Sequence, residues 1–256
     1  MKKSNNWTKE ETIVAFNVYC KIPFKSSSKT NPLIIKYASI IGRSPSALNM
    51  KIGNFGRLDP ELKKQGIVGL GNGSKLDETV WNEFNGNWEK LAYESELLIA
   101  EFQNKNVEEI IDVEVFEFPI GLERESIIKQ RVNQNFFRST ILSSYNLKCC
   151  ITGLSISEFL VASHIKPWKD DEKNRLNPHN GLCLNSIHDK AFDKGYITIT
   201  PDYKIKVSNY FDTLKENEII YHDFFSKYDN QSIILPDRFL PSKEFLDWHY
   251  TNLFKK

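Results

Sequence analysis

The chain has 256 residues, 40% of them hydrophobic and 26% charged, which leaves enough apolar material for one large or two modest folded domains and excludes wholesale disorder. Its formal charge is only +1, so no overall bias toward nucleic acid or acidic partners is visible. No apolar run approaches the ~20 residues of a bilayer span and no apolar segment follows the charged start, so the expectation is a cytoplasmic protein with no membrane partner.

The small net charge hides a division along the chain. Residues 1–75 carry thirteen Lys or Arg against four acids, a local charge of +9; residues 76–125 carry fourteen acids against three basic residues, a local charge of −11. The basic stretch has the footprint that phosphate binding needs. The acidic one is either a solvated helix face or a segment that lies against that basic face, or against a catalytic cleft, until nucleic acid displaces it. Cys20, Cys149, Cys150 and Cys183 form no CxxC pair, so reduced buried thiols are expected rather than disulfides or a zinc knuckle.

In chain order, Thr8 is placed to cap a helix whose first turn holds Glu10 and Glu11, and Pro23 ends it. The run NPLIIKYASIIGRSPSALNMKIGNF predicts two helices around a turn at Gly42 to Ser44, with Ser44 as N-cap and Pro45 opening the second helix. This is a helix-turn-helix outline, in which Arg43, Asn49 and Lys51 are the candidates for DNA contact; an ordinary helical hairpin is the alternative. Gly66, Gly69, Gly71 and Gly73 make a break, after which residues 76–105 read as acidic amphipathic helix with Trp81, Phe84, Trp88 and Leu91 on one face, within a connector that runs to 125. The segment RVNQNFFRSTILSSYNLKC predicts a helix carrying Arg131, Gln134 and Arg138 away from its apolar face, either as a clamp on a DNA backbone or as a buried brace.

FLVASHI then reads as a strand, KPWKDDEKNRLNPH as a polar loop, NGLCL as a second strand and SIHDKAFDKG as a helix closed by Gly195. YITIT and KIKVS add a hairpin around Pro201-Asp202. Phosphodiester hydrolysis needs a base for water, a cation on the phosphate and a scaffold holding both. His164 at a strand end, Asn180 opening the facing strand and His188 on the next helix can surround one phosphate. Lys166 and Lys169 lie in the intervening loop as phosphate-contact candidates. His222 and His249 read as structural.

The strings CCITG, ASHIKPW and HNGLCLNSIHDKAFDKG, with the lead-in RVNQNFFR, resemble the HNH nuclease family over about residues 128 to 210. The resemblance implies a ββα-metal fold in which His164 is the general base, Asn180 orients that base or its loop, and His188 binds a divalent cation. Ser163 departs from the pattern, since many members place Asp or His there as a ligand. The cation would then be held by His188 with Asn180, Asp193 or Asp189 and several waters, which suits Mg²⁺, with Mn²⁺ or Ni²⁺ as substitutes. The N-terminal stretch also resembles the leading domain ahead of HNH modules in proteins read as bacterial restriction enzymes, which favours a restriction or defence role.

The expectation is therefore an α+β protein in three parts: a helical DNA-binding domain over 1–75, an acidic helical connector over 76–125, and an HNH nuclease domain over 126–256. It would be a metal-dependent DNA endonuclease acting on double-stranded DNA, leaving a 5′-phosphate and a 3′-hydroxyl. Cutting both strands would need a homodimer or two successive nicks. The alternative is a DNA-binding regulator whose HNH fold is a degenerate remnant, prompted by Ser163.

Overall fold

The computed structural model describes residues 6–67, 73–111, 122–213 and 218–256. Its architecture is α+β, with helices throughout and two small antiparallel sheets. The chain divides into two compact units, Met1–Ser143 and Ser144–Lys256. No helix among the described residues is long and apolar enough to cross a membrane.

The first unit is helical. Thr8 and Glu11 form a reciprocal capping box that opens α1 (Lys9–Lys21), and Asn31 and Ser44 cap α2 (Pro32–Ile40) and α3 (Pro45–Leu58), each with Pro at its first position. A short α4 (Pro60–Lys64) follows, capped by Asp59. The acidic stretch is two helices where periodicity suggested one: α5 (Lys75–Phe84) and α6 (Trp88–Phe102), separated at Gly86, whose φ of 89° no L side chain adopts comfortably. A turn of helix, α7 (Val107–Ile110), precedes residues 112–121, so the end of the expected connector lies outside the described residues, as do Gly69 and Gly71 of the glycine-rich break. Helix α8 (Leu122–Ser144) runs to the division between the units.

Aromatic rings from α1, α3, α5 and α6 converge in this unit. Phe16 lies 4.8 Å from Phe55 and 5.1 Å from Trp81 between ring centroids, with Trp88 at 6.5 Å. The expected attraction between the basic and acidic stretches is present: Lys9 pairs with Glu83 at 2.7 Å, Lys21 with Glu96 at 2.7 Å, Arg57 with Glu78 at 3.1 Å and Lys51 with Asp77 at 2.6 Å. These contacts are part of the fold, because α5 and α6 bury Trp81, Phe84, Trp88 and Leu91 in the same core as α1. Displacement of the acidic helices by DNA would expose that core, so the described part of the stretch is not a detachable competitor.

In the second unit, β1 (Leu160–His164) pairs antiparallel with β2 (Gly181–Asn185), with His164 opposite Gly181 and Ala162 opposite Cys183. Helix α9 (Ser186–Asp193) packs back across both strands. The hairpin of β3 (Ile197–Ile199) and β4 (Ile205–Val207) follows. Gly195, at φ 72°, makes the turn into it, and a Cβ there would collide with the carbonyl oxygen of Leu253, so only glycine fits. Helix α10 (Glu218–Phe224) and helix α11 (Lys243–Asn252) complete the unit, α11 lying on β3. His249 of α11 bonds Thr198 Oγ1 at 2.8 Å and the Phe192 carbonyl at 3.1 Å and stacks on the Phe192 ring. Burial holds it neutral, with its pKa lowered to about 4.

Candidate functional site

His164 stands at the end of β1, half-buried, where the polar loop 165–180 begins. Its Nε2 bonds the Arg175 carbonyl at 2.9 Å, which places the proton on Nε2 and the basic lone pair on Nδ1. Burial lowers its pKa, only partly opposed by that hydrogen bond and by the Asp189 charge, so the ring is neutral near pH 7, as a general base must be. The Trp168 ring meets it edge-on at 5.7 Å.

The loop that supplies the Arg175 carbonyl is itself held from one point. Buried Asn180 accepts from Lys166 N at 2.8 Å through Oδ1, and donates from Nδ2 to the Lys166 carbonyl at 3.0 Å and the Asn174 carbonyl at 3.3 Å. Arg175 adds a bond from Nε to the Trp168 carbonyl at 3.0 Å and stacks over the Trp168 ring. Both polar atoms of Asn180 thus serve loop backbone. This arrangement suits a side chain that orients the loop better than one that binds a metal.

His188 differs from expectation. It is 1% exposed, its Nε2 donates to the Phe224 carbonyl at 2.6 Å, and its Nδ1 accepts from Asn185 Nδ2 at 3.0 Å. Asn185 is also the N-cap of α9, its Oδ1 accepting from Ile187 N and His188 N. With both ring nitrogens engaged inside the unit, His188 locks α9 onto its surroundings instead of offering a lone pair to a cation. The CCITG turn lies beside it: Cys150 N donates to the Cys183 carbonyl at 2.7 Å, and although burial raises the Cys149 thiol, His188 and Thr152 bring it net down to about 7. All four cysteines are free and buried, in keeping with reduced thiols.

The charge of the next residue, Asp189, is felt at His164. Burial raises its pKa, as does the like charge of Asp193 one turn on, while the Ser163 hydroxyl and His164 act the other way. Asp193 is raised by burial against the pull of Lys190 and Lys194. Ser163, 3% exposed, sets its hydroxyl against this carboxylate. Two carboxylates one helical turn apart, both held above their usual range by burial, with a hydroxyl against one of them, are an all-oxygen donor set that a hard cation fits, particularly Mg²⁺, which keeps most of its waters. Among the described residues no three His, Cys, Asp or Glu side chains form a closed metal cage. Periodicity alone gave no reason to prefer Asp189 over its neighbour His188; the missed signal is Asn185, whose capping geometry turns His188 inward and Asp189 toward β1.

Of the proposed DNA contacts, Arg131, Gln134 and Arg138 are exposed along one side of α8, and Lys169 is exposed in the loop. Lys166 is half-buried, 3.2 Å from Asp171 and over the Trp248 ring. Two expectations in the first unit need correction. Lys51 is 4% exposed and buried against Asp77, and Arg43 is bound by Glu11 at 2.6 Å and covers Trp7, because both charges brace helices internally. Asn49 is half-buried, with its Oδ1 enclosed and unpartnered.

Residues 149–200 match the family model described as HNH endonuclease. No curated protein matches the chain.

Proposed function

We propose that this chain, an HNH endonuclease family member by its residues 149–200, hydrolyses DNA phosphodiester bonds with His164 as general base and a divalent cation at Asp189 and Asp193. The observation that carries this reading is the pairing of a neutral His164, its proton directed onto Nε2, with the Asp189 and Asp193 carboxylates and the Ser163 hydroxyl on the neighbouring helix and strand. Nδ1 takes the proton from a water, the water oxygen attacks phosphorus, and the 3′ oxygen leaves, giving a 3′-hydroxyl and a 5′-phosphate. A bound Mg²⁺, Mn²⁺ or Ni²⁺ would supply charge neutralisation at the phosphate and the leaving oxygen. Asn180 positions the loop that orients His164, and His188 positions α9, so both act through other residues. Ser163, the reason for considering a degenerate fold, here lies against a carboxylate that can take over the ligand role.

Duplex DNA is the substrate class this reading favours, with the exposed face of α8 at Arg131, Gln134 and Arg138, and Lys169, as backbone contacts. A restriction or defence role rests on the sequence resemblance of the leading helical region and is part of the same proposal. The test is cleavage of phage DNAs bearing unmodified, methylated or hydroxymethylated bases, with each cation and with EDTA. Binding without cleavage under every condition would leave the regulator reading in its place.

A further inference from the structure

A cavity of about 550 Å³ opens in the second unit between the loop after His164 and the start of α11. Its walls include Trp248 and Phe245 on one side, Lys166, Asn177 and His179 on the loop side, and Glu244 at the rim. The volume suits one small organic group, since ligand pockets span roughly 300–1,000 Å³. Its floor is fixed, because Asn180 holds Lys166 by both backbone atoms, Asn177 accepts from His179 N at 3.1 Å, and His179 Nδ1 donates to the Leu240 carbonyl at 2.7 Å.

The charge of the lining argues against a phosphate pocket. Lys166 is already paired with Asp171, and exposed Glu244 adds a negative charge at the mouth. What remains is two aromatic side chains, Trp248 with the Lys166 ammonium 5.5 Å over its ring and Phe245, and the Glu244 carboxylate, which together suit a flat ring bearing N–H donors. The position narrows this further. Lys166 is two residues beyond His164, so the pocket edge begins within about 7 Å of the proposed base along the chain, one or two nucleotide steps of a DNA strand.

We propose that this pocket receives one unstacked nucleobase with an exocyclic amine, taken from the strand being cut. The base lies against Trp248 and Phe245, and its amine donates to Glu244. Thymine, whose one donor is its ring N3–H between two carbonyls that the Glu244 carboxylate repels, is disfavoured. The base reaches the pocket from single-stranded DNA or by leaving the duplex stack. Only the statement that the base belongs to the cleaved strand rests on the nuclease reading; the pocket's preference does not.

The test uses the full-length chain in EDTA, so that nothing is cut, and a short single-stranded DNA carrying 2-aminopurine, whose fluorescence reports stacking. Fluorescence should change on binding, and Trp248→Ala should weaken binding about tenfold, while Trp248→Phe retains it. An oligothymidylate should bind about tenfold more weakly than an oligodeoxycytidylate of equal length. Glu244→Gln, an exposed substitution that leaves the fold intact, should erase that preference. Equal affinities for the two polymers in the wild type, or a preference untouched by Glu244→Gln, overturns the proposal even if Trp248→Ala is poorly folded. A deoxynucleoside 5′-monophosphate that binds as tightly as the oligonucleotide overturns the strand assignment and makes this a free-nucleotide site. Failure of the nuclease reading shows separately, as absence of cleavage in every cation while the 2-aminopurine signal persists.

Discussion

Asn180 holds His164 through two successive peptide units: its Nδ2 donates to the carbonyl of Asn174, and the next carbonyl, that of Arg175, fixes the His164 ring through Nε2. The same side chain grips Lys166 by N–H and carbonyl, so the loop is closed on itself beside the proposed base. Asn180→Ala leaves these backbone groups without their partner, which costs ~1–3 kcal/mol for a buried group. The expected outcome is a lower kcat with DNA affinity preserved and an altered acid limb in the pH profile, since the His164 proton is no longer directed onto Nε2. An unchanged profile with a uniformly lower rate assigns Asn180 to stability alone.

The lowered pKa of His164 sets a pH dependence with a definite sign. The base is competent when neutral, so kcat/KM should be flat near neutrality and fall as pH drops through a pKa below the usual 6.5 for His. An acid limb at or above 6.5 in the free enzyme contradicts the buried, neutral ring.

Asp189 and His188 are adjacent but point to different outcomes. Asp189→Asn should raise the cation concentration needed for half-maximal cleavage and be partly rescued by excess cation, because water ligands remain. His188→Gln should lose activity in proportion to loss of folded protein, with no rescue by cation, because it breaks bonds to Phe224 and Asn185. Isothermal titration with Mn²⁺ separates the two, and weakened binding only in His188→Gln returns the ligand role to that residue.

In the first unit, the Lys51 and Asp77 pair is enclosed, and Asp77 also receives Asn54 and the Ser74 cap. Asp77→Asn leaves a buried ammonium without its counter-charge, so destabilisation of ~3–5 kcal/mol is expected in urea melts. Glu94→Gln, at a partly exposed pair with Lys90, should cost no more than ~1 kcal/mol. Equal effects would mean that the enclosed pair is hydrated.

His249 gives a pH effect on stability. Its folded pKa of about 4 lies below the unfolded value of 6.5, so the unfolded chain binds the extra proton first. Stability contributed by the neutral ring is complete above pH 6.5 and is lost as pH falls toward 4, by an amount on the order of 3 kcal/mol. His249→Phe should flatten this part of the stability curve for the second unit, whatever its effect at neutral pH.

Local signals carried much of this fold. Thr8, Ser44 and Pro45 mark helix starts by their own chemistry, and β1, β2 and α9 follow from two short apolar runs, the polar loop between them and Gly195. The pairing of Lys51 with Asp77, or of Arg43 with Glu11, was not legible, because each depends on which distant helix the side chain meets; a cation in a helix-turn-helix outline looks the same whether it faces DNA or a buried carboxylate. The acidic stretch read as one helix because its apolar face is continuous, and only the positive φ at Gly86 divides it. At the site, His164 and Asn180 could be placed from strand and loop spacing. The inward turn of His188 depends on a bond from Asn185 and on the Phe224 carbonyl, 36 residues away in sequence, which no local pattern encodes.

The central claim is that His164 activates water beside a cation held at Asp189 and Asp193. The most direct measurement is nicking of supercoiled plasmid by wild type and His164→Ala at matched DNA occupancy, with Mg²⁺ or Mn²⁺ and again with EDTA. The account predicts cation-dependent nicking by the wild type, abolished by EDTA, and a rate ~10²–10⁴-fold lower in His164→Ala with DNA affinity unchanged. Nicking that persists in EDTA, or a His164→Ala rate within about tenfold of wild type, would contradict it.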